Sequence, residues 1–261
     1  MLQTPRGTED APVAKPMEQV IFRLYAELND LLPPERRMTA FPHAMFLPAS
    51  VKDVIESFGV PHTEIGLILV NSEPVEFTHL IRNGDYISVY PTFTSLDVSS
   101  LLQLRPPLDD VRFAVDTHLG RLATYLRMLG FDALFEIDCD DRKLSRISAR
   151  ETRVLLTRDR GLLKRGVVTH GYFVRATEPR QQLLEVLRRF NLFGAAAPFQ
   201  RCLRCNVLLQ SVSKETVRDR LPPRTAQCYH HFQICPGCDR LYWAGSHYEH
   251  MQRFIQHVLA A

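Results

Sequence analysis

Three short apolar runs in the second half of the chain each lead into acid. Asp116 follows Phe113-Ala114-Val115, the group Asp138-Cys139-Asp140-Asp141 follows Leu134-Phe135-Glu136-Ile137, and Asp159 follows Val154-Leu155-Leu156-Thr157-Arg158. Ligands of open α/β sheets bind beyond the carboxyl ends of the strands, so three strands ending this way would bring three carboxylates together. At about 5 Å separation and an effective dielectric near 20, ionising all three costs on the order of 10 kcal/mol, and a divalent cation would relieve that repulsion. Hard carboxylate oxygens select Mg2+ or Mn2+. Such an ion can activate water and stabilise the leaving oxygen of a phosphodiester. A single aspartate after a strand is more often the N-cap of the next helix; three successive strand ends favour a metal site.

A second group of residues has ligand spacing of its own. Cys202-Leu203-Arg204-Cys205 and Cys235-Pro236-Gly237-Cys238 form C-x2-C-x29-C-x2-C, two chelating turns whose four thiolates suit the closed tetrahedral sphere of structural Zn2+. The spacing also admits an iron-sulfur cluster or a redox dithiol, although a redox CxxC normally sits on a thioredoxin-like βα junction. Cys139 and Cys228 are left over, the latter read as a loop thiol. Arg201, Arg204, Arg240, Tyr242 and Trp243 surround the turns, a mixture that suits base stacking and phosphate contact as well as ordinary packing.

The elements that must position these groups follow from periodicity. Val20, Phe22 and Leu24 alternate as in a strand within 19–28. Ala44 to Leu47 reads as a second strand, Ser50 caps a short helix ending near Gly59, and 64–70 and 85–90 are strands bounded by turn clusters. The order is ββαββ. Beyond a linker rich in Ser, Leu and Pro, apolar runs near 113, 133, 154 and 170 alternate with helical segments, among them 118–130, where Gly130 is the stop, and 179–190. Alternation of this kind predicts a parallel sheet covered on both faces. The last helix, 247–259, gathers Met251, Phe254, Ile255 and Val258 on one face and is expected to dock onto the cysteine module.

Composition sets the outer bounds. The chain has 261 residues, 45% of them hydrophobic and 23% charged, with 17 Pro and 12 Gly, which are globular proportions that exclude collagen-like, coiled-coil or wholly disordered chains. No apolar run reaches membrane-spanning length, and the polar N-terminus has no secretory h-region; a soluble, cytoplasmic protein without disulfides is expected. Residues 1–100 hold 7 Lys+Arg against 13 Asp+Glu, whereas 101–261 hold 25 against 16. A basic second half suits a polyanion such as nucleic acid. No Gly-x-Ser-x-Gly elbow, P-loop or Gly-x-Gly-x-x-Gly fingerprint is present.

Two resemblances sharpen these expectations. The ββαββ order closing on Arg82-Asn83-Gly84-Asp85-Tyr86-Ile87-Ser88-Val89-Tyr90-Pro91 resembles the ubiquitin-like β-grasp domains of small sulfur carriers. The chain runs on through Pro91-Thr92-Phe93-Thr94 without their terminal diglycine, so this part is read as a binding or positioning module. Val115-Asp116-Thr117-His118-Leu119-Gly120-Arg121-Leu122-Ala123, Leu126 to Asp132 and Leu155-Leu156-Thr157-Arg158-Asp159-Arg160-Gly161-Leu162-Leu163 resemble the PIN-like ribonuclease family named for the C-terminal domain of the Mut-seven exonuclease.

That resemblance implies metal-dependent cleavage of single-stranded or structured RNA; RNA is the expected partner, with tRNA and ribosomal RNA as candidates. It places Asp116, Asp141 and Asp159 on acidic ligand positions for Mg2+ or Mn2+, with Asp140 the rival of Asp141 and Glu178 the one candidate for a fourth acid. Arg121, Arg127, Arg158 and Arg160 are read as RNA-binding, with internal ion pairs as the alternative. The fold expected is α/β throughout: a disordered leader (1–17), a ubiquitin-like β-grasp domain (18–93) able to bind a protein partner, a linker (94–109), a PIN-like parallel-sheet domain (110–198), and a zinc-ribbon-like module with the C-terminal helix (199–261). The competing reading is a noncatalytic RNA-binding or ribosome-associated protein that keeps this fold as a platform.

Overall fold

Alternation builds the first sheet. In Glu18–Leu24 (β1), Val20, Phe22 and Leu24 are buried on one face because every second residue is apolar. The computed structural model describes residues 18–45, 48–93 and 102–260; the expected leader, Phe46 and Leu47 of the second strand, and 94–101 of the linker lie outside them. After Phe41–Met45 (β2), Ser50 caps Val51–Ser57 (α1) by accepting the Asp53 N–H, and Val51, Val54 and Ile55 turn inward. Ile65–Val70 (β3), Glu73–Pro74 (β4) and Tyr86–Pro91 (β5) complete a sheet of order β2-β1-β5-β3-β4. β1 and β5 run parallel at its centre and the other pairs are antiparallel, the ubiquitin-like arrangement. β1 stops at Leu24 instead of running on to 28. Residues 26–31 form a 3-10 turn there, because Leu28 and Leu31, three apart, bury together on a helical turn.

The second sheet is parallel. Phe113–Val115 (β6), Gly120–Met128 (α2), Ala133–Leu134 (β7), Asp141–Arg150 (α3), Val154–Thr157 (β8), Arg160–Leu163 (α4), Gly171–Phe173 (β9) and Pro179–Arg189 (α5) follow in turn, with strand order β7-β6-β8-β9. Phe113, Val115, Val154 and Leu156 join one core with α2 and α5, while Ala114 and Leu155 join another with α3 and α4. Burial on both faces explains why these strands are apolar without alternation. Gly130 ends the α2 segment at φ +93°, and a Cβ there would lie 2.1 Å from the Ala197 carbonyl oxygen, so only glycine fits.

The last part is small. Gln210–Val212 (β10), Lys214–Val217 (α6), Pro223–Cys228 (α7), Phe232–Ile234 (β11) and Leu241–Trp243 (β12) form an antiparallel three-stranded unit around Val217, Leu221 and Phe232. The final helix, Ser246–Leu259 (α8), corrects an expectation. Its Ile255 and Val258 enter the core of the parallel domain, and Phe254 packs against Tyr125 with ring centroids 4.7 Å apart. The apolar stripe left by α2 and α5 offers more area than the module's three-residue core, so burial favours it.

The first two domains share a polar seam. Glu64, fully buried, accepts the Phe173 N–H at 2.5 Å and Arg175 at 3.0 Å, and His62 bridges Glu56 and the Val168 carbonyl. Arg105, from the linker, donates to the carbonyls of His62, Thr63 and Ile65.

Candidate active site and cysteine centre

Strand order brings the acids to one edge. β6 lies between β7 and β8, all parallel, so Asp116, the 138–141 run and Asp159 lie beyond the carboxyl ends of three adjacent strands. Asp116 is the buried member, 6% exposed. Its Oδ2 accepts the Thr157 hydroxyl at 2.5 Å, its Oδ1 accepts that of Thr117 at 3.1 Å, and its N–H donates to the Leu156 carbonyl. Thr157 also accepts the Asp159 N–H at 2.9 Å, so one fully buried hydroxyl ties two of the acids together. Sequence reasoning did not single out Thr157; its only signal is a hydroxyl at the end of an otherwise apolar strand.

The exposed acids differ in what occupies their oxygens. Asp159 caps α4 through the Gly161 N–H at 2.7 Å, and Asp140 caps α3 through that of Lys143 at 2.7 Å. This backbone donor holds Asp140 below the usual carboxylate range. Asp141, the first residue of α3, makes no side-chain hydrogen bond among the described residues. Glu178 caps α5 through Arg180 and Gln181 beyond the outer strand. The acids are not drawn into contact: among the described residues, only the four cysteines form a group of three or more ligand atoms within 4.8 Å of one another. No ion pair among these residues involves Asp116, Asp141 or Asp159. Carboxylate and hydroxyl oxygens are donors of the hard kind that Mg2+ or Mn2+ takes, and Asp116 is held by two neutral hydroxyls.

Of the four arginines read as RNA ligands, the structure keeps one free. Arg121 is exposed in the first turn of α2 and has no side-chain partner among the described residues. Arg127 is 4% exposed and donates to the carbonyls of Ala133, Leu203 and Arg204. Arg158 donates to the carbonyls of Val174, Arg175 and Ala176, and Arg160 reaches the Leu31 carbonyl across the domain seam. In these three the guanidinium groups donate to backbone carbonyls rather than to acids, Arg158 through Nη1 alone while the residue stays exposed. Two exposed arginines that the sequence reading passed over, Arg142 and Arg165, lie close enough to Asp140 to help lower its pKa.

The cysteine turns share one backbone design. In each, the first cysteine's N–H donates to the carbonyl five residues on, Val207 or Arg240, while its carbonyl accepts the N–H four residues on, Asn206 or Asp239. Asn206 and Asp239 take positive φ of 69° and 58°. Cys202 and Cys238 sulfurs lie 3.5 Å apart and those of Cys205 and Cys235 3.2 Å. All four lie within 4.8 Å of one another and could hold a zinc ion. Burial alone would push the Cys202 thiol up, but the Tyr242 hydroxyl and the N–H groups of Cys205 and Arg204 outweigh it and bring it down to about 6. Burial and the neighbouring Cys235 thiol push Cys205 the other way, up to about 12, so the protons of this cluster are shared unequally among its sulfurs. The first turn is bolted to the parallel domain through Arg127 and through Asn206, which donates to Asp132 at 2.7 Å and accepts the Ala133 N–H.

A ubiquitin-like domain, a parallel α/β domain with acids along one edge and a four-cysteine centre that could hold a metal ion define a three-part protein. Residues 111–255 match the Mut7-C RNAse domain and residues 17–97 the Mut7-C ubiquitin domain. The chain belongs to the Mut7-C RNAse family. No match was found among curated proteins or among solved structures. Among the described residues no helix is long and apolar enough to cross a membrane.

Proposed function

We propose that this chain is a divalent-metal-dependent ribonuclease whose Asp116, Asp141 and Asp159 hold Mg2+ or Mn2+. The observation that carries the reading is Asp116: a carboxylate 6% exposed at the centre of the acidic edge, with hydroxyl partners and no basic one. Burying a lone charge costs several kcal/mol unless it is compensated, and a cation at this edge would compensate it. Asp141 is preferred over Asp140 because both of its oxygens are without a partner among the described residues, whereas Asp140, like Asp159, keeps one oxygen beside its helix cap.

A bound ion would polarise the scissile phosphate and lower the pKa of a water molecule for in-line attack. The protein supplies the rest. Thr157 and Thr117 fix the Asp116 oxygens, the α4 cap fixes Asp159, and the exposed Arg121, Arg142 and Arg165 receive phosphates of the strand. Zn2+ in the cysteine centre is structural and holds the module against α2. The substrate is single-stranded or structured RNA of the tRNA or ribosomal class, met in the cytoplasm, and the ubiquitin-like domain offers a surface for a protein partner.

The test is cleavage of end-labelled single-stranded and structured RNAs by metal-stripped, zinc-reconstituted protein in Mn2+, Mg2+ or EDTA. Cutting that needs Mn2+ or Mg2+ supports the enzyme, and product sizes separate endonucleolytic from exonucleolytic attack. Binding without cutting in every metal would replace it with the noncatalytic RNA-binding reading.

A further inference from the structure

A cleft of about 320 Å³ opens between the sheet of the cysteine module and α8, apart from the aspartates. Register sets one wall: Ser211, Gln233 and Tyr242 stand directly opposite one another across β10, β11 and β12, so they share a face of the sheet. The other wall holds Phe199 and Tyr248, ring centroids 4.2 Å apart, and Trp243 also lines the cleft. The Ser211, Gln233 and His231 side chains, which line it too, make no hydrogen bond among the described residues. No acidic residue lines the cleft, and 199–261 carry 8 Lys+Arg against 4 Asp+Glu.

We propose that this cleft binds an unstacked base of single-stranded RNA, an inference that rests on the ribonuclease reading and names where the substrate is held. Aromatic faces give sequence-tolerant stacking. A free Gln amide offers donors and an acceptor together, the complement of a base's Watson–Crick edge. Paired bases cannot enter, since their edges are occupied and their faces stacked. Position supports the same occupant. The Phe199 N–H donates to the Met128 carbonyl at the last residue of α2, while the first turn of that helix follows Asp116. Nine residues of helix span about 13 Å, so a base held here leaves the acids within a few nucleotides' reach. The cleft anchors substrate and takes no part in bond breaking.

Trp243 is the only tryptophan in the chain; its ring packs with Phe232 on the other side of the sheet but the residue borders the cleft, so its emission senses binding through that wall. Zinc-loaded full-length protein carrying Asp116→Asn, without added Mg2+ or Mn2+, is titrated with short oligouridylate, oligoadenylate and a duplex of equal length. Saturable change in Trp243 emission with the single strands and none with the duplex is expected. Affinity should fall about 10-fold in Gln233→Ala and in Tyr248→Ala, the order expected for losing one base contact. Zinc content and melting temperature report that each variant is folded; should Tyr248→Ala fail to fold, Gln233→Ala alone carries the comparison. Unchanged emission, equal response to duplex, or undiminished affinity in folded Gln233→Ala would overturn the proposal. Cleavage by wild type is scored separately, so a silent cleft in an active nuclease and an occupied cleft in an inactive one are told apart.

Discussion

The Thr157 hydroxyl donates to Asp116 and accepts from the Asp159 backbone, a position from which one atom would orient two of the proposed ligands without touching substrate. Groups that orient metal ligands typically matter about 10- to 100-fold in metal affinity or activity. Thr157→Val keeps the β-branched shape of the strand, so Mn2+ affinity measured by titration should fall by about that factor while the melting temperature changes little; an unchanged affinity would remove Thr157 from the site. The arginines teach the reverse lesson. Arg127, Arg158 and Arg160 stand beside the aspartates in sequence, and that proximity suggested phosphate contact. What the sequence does not display is which backbone carbonyls a fold leaves without donors, and these three guanidinium groups are taken by such carbonyls.

At the scale of elements, Arg127 joins α2 to the first cysteine turn. Arg127→Met would leave the carbonyls of Ala133, Leu203 and Arg204 without that donor. Unsatisfied buried groups cost about 1–3 kcal/mol each, so a loss of at least about 2 kcal/mol is expected in thermal unfolding, with zinc retained; a melting temperature equal to that of wild type would show that the clamp carries nothing. Removing the zinc proposed for the cysteine centre acts on a larger piece. Structural Zn2+ is worth about 10–16 kcal/mol, far more than a core of Val217, Leu221 and Phe232 can replace. Chelation should therefore abolish the near-ultraviolet circular dichroism of Trp243 while the far-ultraviolet signal of the parallel domain persists. The cysteine spacing was legible in the sequence because chelation is local, whereas the docking of α8 was not: its apolar face fits either neighbour, and the choice depends on the area that α2 and α5 leave uncovered.

Across the whole molecule, stability should carry an acid limb from the seam between the first two domains. His170, buried beside Arg105, has its pKa pushed down to about 4 by burial first and then by that guanidinium, and its Nε2 has no partner. The unfolded chain takes up this proton near pH 6.5 and the folded one only near 4. Stability from the neutral imidazole is thus complete above pH 6.5 and is lost as pH falls toward 4, by up to about 3 kcal/mol. His43, also lowered, adds to the same slope, so the comparison is with His170→Gln, which should flatten the limb in denaturant unfolding between pH 7 and 4.5; an identical slope would contradict it. The three-part architecture was readable because periodicity, the acids after strands and the CxxC pairs are each short-range signals. How closely the carboxylates approach one another depends on caps and charge that no spacing encodes. The most direct measurement is the single-turnover cleavage rate of end-labelled RNA in Mn2+ by zinc-loaded wild type and Asp116→Asn. The account predicts a loss of about 10²-fold or more, because a Lewis-acid ion contributes several kcal/mol at about 1.4 per decade, with RNA binding retained. Equal cutting by the two proteins, or cutting undiminished in EDTA, would contradict it.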